Sequence, residues 1–212
     1  MRNTNYGKLA AGLLAAWFLF SLSASALHLF ENAPGSLPLA LGLAVVAPIV
    51  AFSLWYATSA EFRQFALSLN PRTLTTAQAW RLGGFVFLVL HAHGILPGLF
   101  ALPAGWGDIF IGATAPLVAL KLAQSGRQSA FIFWQVLGVL DLAMAVTLGV
   151  IAGFLNSGGI GTSVMSVLPL SLVPTFIVPL LIIFHLICIA QARRWPYAES
   201  SQVRQQLASS QA

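Results

Sequence analysis

Charged residues are scarce in this 212-residue chain: ten Lys and Arg with five Asp and Glu make up 7% of it, while 58% is hydrophobic. Soluble domains carry roughly a quarter charged residues, and a chain this short has too little polar surface to cover a core in water. The deficit excludes a soluble globular domain and makes lipid the solvent. Cysteine is nearly missing as well. Cys188 is the single one and lies within "LLIIFHLICIAQ", which excludes an internal disulfide and a cysteine-rich metal site. No H-E-x-x-H, G-x-S-x-G or glycine-lysine phosphate loop occurs, so a membrane-embedded enzyme is the thinnest of the readings.

Long apolar runs are abundant instead. A run of roughly 20 residues crosses about 30 Å of hydrocarbon, and six can be placed, at 9–30, 38–56, 81–102, 106–123, 130–153 and 168–190. The basic residues fall between them in a pattern. Arg2 and Lys8 precede the first run, and Arg63, Arg72 and Arg81 lie between the second and third. Lys121 and Arg127 lie between the fourth and fifth, and Arg193, Arg194 and Arg204 follow the sixth. The other three connections carry none. This is the positive-inside pattern for a chain with both termini cytoplasmic, so the net charge of +5 reports topology and not a nucleic-acid partner. The expected fold is an all-α polytopic bundle of six transmembrane helices over residues 1–195, in a bacterial-type inner membrane. The tail 196–212 is too polar for a core and is expected to be disordered.

Tryptophan placement supports the same frame. Trp55, Trp80, Trp134 and Trp195 fall near expected cytoplasmic ends and Trp106 near an outer end, as an interfacial belt requires. Trp17 alone falls within a span. The start, "MRNTNYGKLAAGLLAAWFLFSLSASA", has the layout of a cleavable signal peptide; because the apolar stretch runs on through Leu27 and Phe30, a retained span is expected.

Between the second and third spans, Phe62, Phe65 and Leu69 recur at helical spacing, which suits a short helix in the headgroup layer. Asn70-Pro71 should stop it, and Thr75 with Gln78 has the spacing of a capping box opening the third span. The stretch "NSGGIGTSVMS" reads as a flexible outer loop. Spans 3 and 6 are read as the two most broken helices, with Gly94, Pro97 and Gly98 in one and Pro174 and Pro179 in the other, and they occupy matching positions in two three-span halves, the arrangement that marks a central site in transporters.

An ionisable side chain inside a membrane helix costs roughly 2.5–3.5 kcal/mol on insertion scales, so it should face protein or water. Asp141 continues at i+4 steps through Ala145, Gly149 and Gly153, and Asp108 through Gly112, Ala115 and Ala119. Small residues at that spacing let a second helix approach, so both aspartates are expected to look inward. His91 and Asp141 fall near the midplane of this frame, His28 and Asp108 near the outer surface, and His185 in the cytoplasmic half. Asp108 after "PAGWG" also suits a helix cap. Two residues apart on a helix, His91 and His93 cannot ligate one metal together, and no metal site is expected.

The stretches "RLGGFVFLVLHAHGILPGLFALPAGWGDIFIGATAPLVA", "GVLDLAMAV" and "LPLSLVPTFIVPLLIIFHLI" resemble uncharacterised small multi-pass bacterial inner-membrane proteins over spans 3 to 6. The resemblance implies no activity and no functional residue. The residues themselves suggest a carrier or channel for protons or a small solute, with Asp141 and His91 as the mid-membrane site and Asp108 and His28 at the outer entrance. A haem-binding redox protein with two axial histidines is less favoured, because no two of the four share a depth on facing helices. A non-catalytic assembly or interaction subunit, whose polar groups lock helices together, is the other alternative. The expected partners are the lipid bilayer and, in a homo-oligomer, further copies of the chain.

Overall fold

Helices make up every regular element among the residues that the computed structural model describes, 3–32, 36–155 and 160–195. They are α1 (Asn3–Ala26), α2 (Leu39–Thr58), α3 (Ala60–Ser68), α4 (Pro71–Ala77), α5 (Phe85–Ala92), α6 (Gly98–Lys121), α7 (Gln128–Leu155) and α8 (Val178–Ala192). Four stretches are long and apolar enough to cross a membrane: Tyr6–Ala26, Leu39–Thr58, Gln128–Leu155 and Val173–Ala192. The expected tail lies outside the described residues. The expected outer loop is described only from residue 160, where Ser163–Ser166 form a 3₁₀ turn with Met165 and Ser166 buried.

The third helical segment differs most from the sequence frame. A 3₁₀ stretch, Gln78–Gly84, joins α4 to α5 without a break, so the chain is helical from 71 to 92, a length of about 35 Å. This helical segment begins and ends ten residues before the expected span 81–102. Pro71 opens the segment at its first turn, and Asn70 caps it by accepting from the Arg72 N–H at 2.9 Å. Thr75 and Gln78, expected to form the cap, are internal and buried. Arg81 is consequently near the middle of a helical segment and not at its cytoplasmic flank.

The segment ends where the glycine and proline signals accumulate. Gly94 has φ +69°, and its N–H donates to the His91 carbonyl while Ile95 donates to Leu90. These are the two bonds of a Schellman stop. Nδ1 of His91 donates to the Leu96 carbonyl at 3.0 Å, closing the turn from inside, and Pro97 opens α6. The hairpin turn is thus 93–97, earlier than the expected 103–105, and Asp108 lies deep within α6 and does not cap it.

A second irregularity fixes α1. Val173–Ile177 form a π turn running into α8. Pro179 has no N–H, so the Thr175 carbonyl lacks its α-helical donor. Trp17 Nε1 and Ser21 Oγ of α1 donate to that carbonyl at 3.1 and 3.4 Å, and Ser171 Oγ donates to Ser25 Oγ at 2.9 Å. An indole in mid-helix, odd by belt logic, is explained by a carbonyl that needs a donor. Ser21 and Ser25 are buried, whereas His28, expected to extend their stripe, turns outward with φ +59°.

The links gather at two ends. Tyr6 donates to Glu61 of α3, Gln191 donates to the carbonyls of Ala66, Leu67 and Leu69, and Gln128 donates to Ala192. The start of α1, the 59–70 link, the 122–127 link and the end of α8 therefore share one end, where Phe131 and Ala192 are packed. Trp55 stacks on Phe62 and Trp195 lies against Phe131 there. Trp80 and Trp106, expected at interfaces, project from mid-segment and are exposed; Trp134 is buried and donates to Thr114. α6 and the 3₁₀ stretch approach backbone to backbone: a Cβ on Gly112 would meet the Leu82 backbone nitrogen at 2.6 Å. Gly112→Ala should therefore lower stability by about 1–3 kcal/mol, read as a lowered unfolding midpoint in detergent. Gly83→Ala, with nothing within 4 Å of the new Cβ, should not; an equal loss there would refute the packing argument.

Candidate functional site

Arg81, Asp108 and Asp141 belong to three neighbouring helical segments and meet near their middles. Arg81 Nε donates to Asp108 Oδ1 at 2.7 Å, Nη1 to the Gly138 carbonyl at 3.2 Å, and Nη2 to Asp141 Oδ2. The guanidinium side chain is 1% exposed, against 16% for Asp108 and 9% for Asp141. A planar fork with donors on each edge is suited to engage separate groups in this way. One fixed positive charge faces two carboxyl groups. The triad is neutral when one carboxyl carries a proton and has a net charge of −1 when neither does.

Local backbone features make the approach feasible. A Cβ on Gly84 would overlap the Asp108 side chain, and one on Gly107 would overlap the Asp141 carboxylate. Each acid thus packs against a glycine of a neighbouring segment. Gly105 receives Leu88 in the same way. The 3₁₀ stretch adds register: residues three apart eclipse in a 3₁₀ helix, and Thr75, Gln78, Arg81, Gly84 and Phe87 are all buried. An ordinary α-helix would rotate such a row off the contact line.

A second polar cluster continues from the triad. Gly138, whose carbonyl binds Arg81, also lies against the His185 ring, which a Cβ there would overlap. His185 Nδ1 donates to Gln135 Oε1 at 2.5 Å, and Gln135 Nε2 donates to Thr75 Oγ1 at 3.1 Å. Thr75 is 3.8 Å from the Cys188 sulfur, which lies 3.9 Å from the Pro71 carbonyl. His185 Nε2 and Gln78 Oε1 are buried without a hydrogen-bond partner among the described residues. With its proton on Nδ1, His185 turns an acceptor lone pair inward.

On the other side of the triad is a cavity of about 270 Å³. Asp108 lines it, its walls include Val45, Phe87, Phe100, Leu142 and Val146, and Asn32, Ser36, Thr162 and Ser163 also border it. These polar residues belong to the 27–38 and 156–172 links, so the cavity runs inward from the end opposite the basic residues. Ala145, Gly149 and Gly153, expected to form a helix-contact ridge with Asp141, border this cavity, and the first two also face the neighbouring segment: Ala145 packs against the cluster that holds Phe87 and Phe100, and a Cβ on Gly149 would touch Phe100. The ridge from Asp108 does pack: Gly112, Ala115 and Ala119 are buried.

Of the four residues expected to form a site, the structure joins two. Asp108 and Asp141 share one guanidinium, at one level and not at two depths. His91 is at the 93–97 turn, half-buried and bonded to Leu96, and His28 is exposed, with Nδ1 2.6 Å from Glu31 Oε1. His93 is exposed and bonds the Val89 carbonyl. Sequence reasoning missed Arg81 and His185. The three-residue spacing of Thr75, Gln78, Arg81 and Gly84 was the available signal. Among the described residues no three His, Cys, Asp or Glu side chains group closely enough to hold a metal ion.

A protein-family model described as a domain of unknown function, DUF8737, matches residues 34–193, from the link after α1 to the end of α8. No curated protein and no solved structure matches the chain.

Removing one partner of a buried ion pair is strongly destabilising, by about 3–5 kcal/mol, because the other charge is left alone. Arg81→Met should therefore collapse the unfolding midpoint in detergent. Adding Asp108→Asn and Asp141→Asn should recover much of the loss, since no unpaired carboxylate remains. A triple variant no better than Arg81→Met would show that the guanidinium acts through packing alone.

Proposed function

The chain belongs to the DUF8737 family, and we propose that it is a multi-pass carrier for protons or a small solute, with the Arg81–Asp108–Asp141 triad as its charge-changing site. The proposed bundle has six spans: the four apolar helices, the segment 71–92 and α6. Both termini are cytoplasmic, in a bacterial-type inner membrane. The basic residues support this orientation: among those described, Lys8, Arg63, Arg72, Lys121, Arg127, Arg193 and Arg194 belong to the elements and links of one end, and Arg81 alone does not.

The observation that carries the reading is the position of Asp108, which lines the cavity with one oxygen bound to Arg81. A proton or solute entering from the outer side reaches the triad without crossing the bundle. Proton binding takes the triad from a net charge of −1 to neutral, which alters the cost of keeping it in a low-dielectric interior. On the inner side the Gly138–His185–Gln135–Thr75 series provides polar groups toward the cytoplasmic end. A carrier, unlike a structural lock, needs both the cavity and a triad whose charge can change.

Two measurements test this. In a Cys188→Ala background, a cysteine at Ser36 should react with an impermeant thiol reagent in intact cells, and one at Gln124 should not. Outside labelling at Gln124 would overturn the topology. In proteoliposomes with an internal pH-sensitive dye and an imposed potential, the intact protein should carry protons. Asp108→Asn, which keeps an acceptor for Arg81 but cannot exchange a proton, should lose that flux while its unfolding midpoint stays close to the parent's. Undiminished flux through well-folded Asp108→Asn would remove the triad from the mechanism.

A further inference from the structure

We propose that the cavity above Asp108 binds a small organic monocation, a protonated amine on an apolar body, with the charged head on the Asp108 carboxylate. The inference rests on the carrier reading for the cavity's role as an entrance, and it names the class of solute. Three observations carry it. The walls are mainly hydrocarbon, with Val45, Phe87, Phe100, Leu142 and Val146 among them, so the body of the ligand must be apolar. Among the described residues, the single charged one that lines the cavity is Asp108. Arg81, at 1% exposure, is behind it and does not line the space. An arriving head group therefore meets a carboxylate before it meets a cation.

Charge balance points the same way. Arg81 cannot neutralise two carboxylates, and the residual charge of −1 lies in surroundings where an unbalanced charge is costly. A monocation at Asp108 removes it without a proton. A neutral ligand leaves it in place, and an anion doubles it. Arg81 Nε engages Oδ1 of Asp108, so the carboxylate has acceptor capacity remaining for an ammonium. Size sets the body. An apolar cavity of about 150 Å³ holds benzene, so about 270 Å³ accommodates one ring and a short aminoalkyl chain. The polar residues Asn32, Ser36, Thr162 and Ser163 that border the cavity belong to the outer links, where a hydrated cation would enter.

The experiment is calorimetric titration of the full chain in lipid nanodiscs with 2-phenylethylamine, 2-phenylethanol and phenylacetate, with empty nanodiscs subtracted. A hydrogen bond to a charged group contributes about 1.5–3 kcal/mol, so the amine should bind about tenfold or more tightly than the alcohol, and phenylacetate should not bind. Asp108→Asn should reduce amine affinity to that of the alcohol. Gly149→Leu, whose side chain would project into the cavity beside Phe100 and away from the triad, should abolish binding of both in a folded protein. Equal affinities for amine and alcohol would mean an apolar occupant such as an acyl chain and would overturn the proposal, as would no binding of any probe. If Asp108→Asn does not fold, the amine–alcohol comparison and Gly149→Leu still decide. Proton flux is measured without amine, so the carrier reading can fail while amine binding holds, and the reverse.

Discussion

A guanidinium held between two carboxylates, with almost no other buried charge among the described residues, is the constraint to which the central helices conform. An arginine in the middle of an apolar bundle costs several kcal/mol unless its donors are engaged, and water is not available to engage them. Asp108, Asp141 and the Gly138 carbonyl do so, from two helices. That requirement determines how closely 71–92, α6 and α7 approach. It also explains the glycines at 84 and 107, each of which makes room for a carboxylate. Without them the acids would be held off by a methyl group.

The same accounting of hydrogen bonds governs the other end of the bundle. Proline removes donors from the stretch leading into α8, and in an apolar medium an unused carbonyl is as expensive as an unused N–H. Trp17 and Ser21 supply donors to Thr175, and this ties α1 to the stretch leading into α8, where Trp17 and Phe18 also pack on Phe176. The triad and the π turn are thus two answers to one problem, polar groups that cannot reach water. They differ in consequence. The π turn is satisfied entirely by neutral groups, whereas the triad keeps a charge that depends on its occupancy.

Much of this was legible in the sequence, and what was not has a definite cause. Apolar runs and basic links report a preference of whole segments for lipid or for one side, so the four helices apolar enough to cross a membrane could be read directly. The segment 71–92 could not, because its polar row is spaced for a 3₁₀ helix and dilutes the apolar signal that marks a span. Hydrocarbon is continuous only from Leu82 onward, so the apolar run marks a later start than the helix has. Arg81 became a flank residue, and the turn moved from 93–97 to 103–105. Asp108 was placed near a surface when it is level with Asp141. Inward-facing aspartates followed from cost alone and did not depend on the frame. Their partner did depend on it, which is why a histidine was expected where an arginine stands. His91 shows the converse: an ionisable residue in an apolar run, used to close a turn.

A buried ion triad is a poor device for stability, since well-packed apolar residues of the same volume often serve as well or better. Its use must be sought in what apolar residues cannot do. A hydrophobic contact has one state at all proton and cation concentrations, whereas two carboxylates sharing one guanidinium have at least two, differing by a full charge. Placing such a group level with the middle of three helices couples that charge to their packing. Placing one of its carboxylates on a cavity couples it to the outside. Either feature alone has a structural reading: a lock between helices, or a packing defect. Together, under the proposed reading, they make an internal charge answerable to what enters the cavity, and that property is what would separate a carrier site from a structural ion pair.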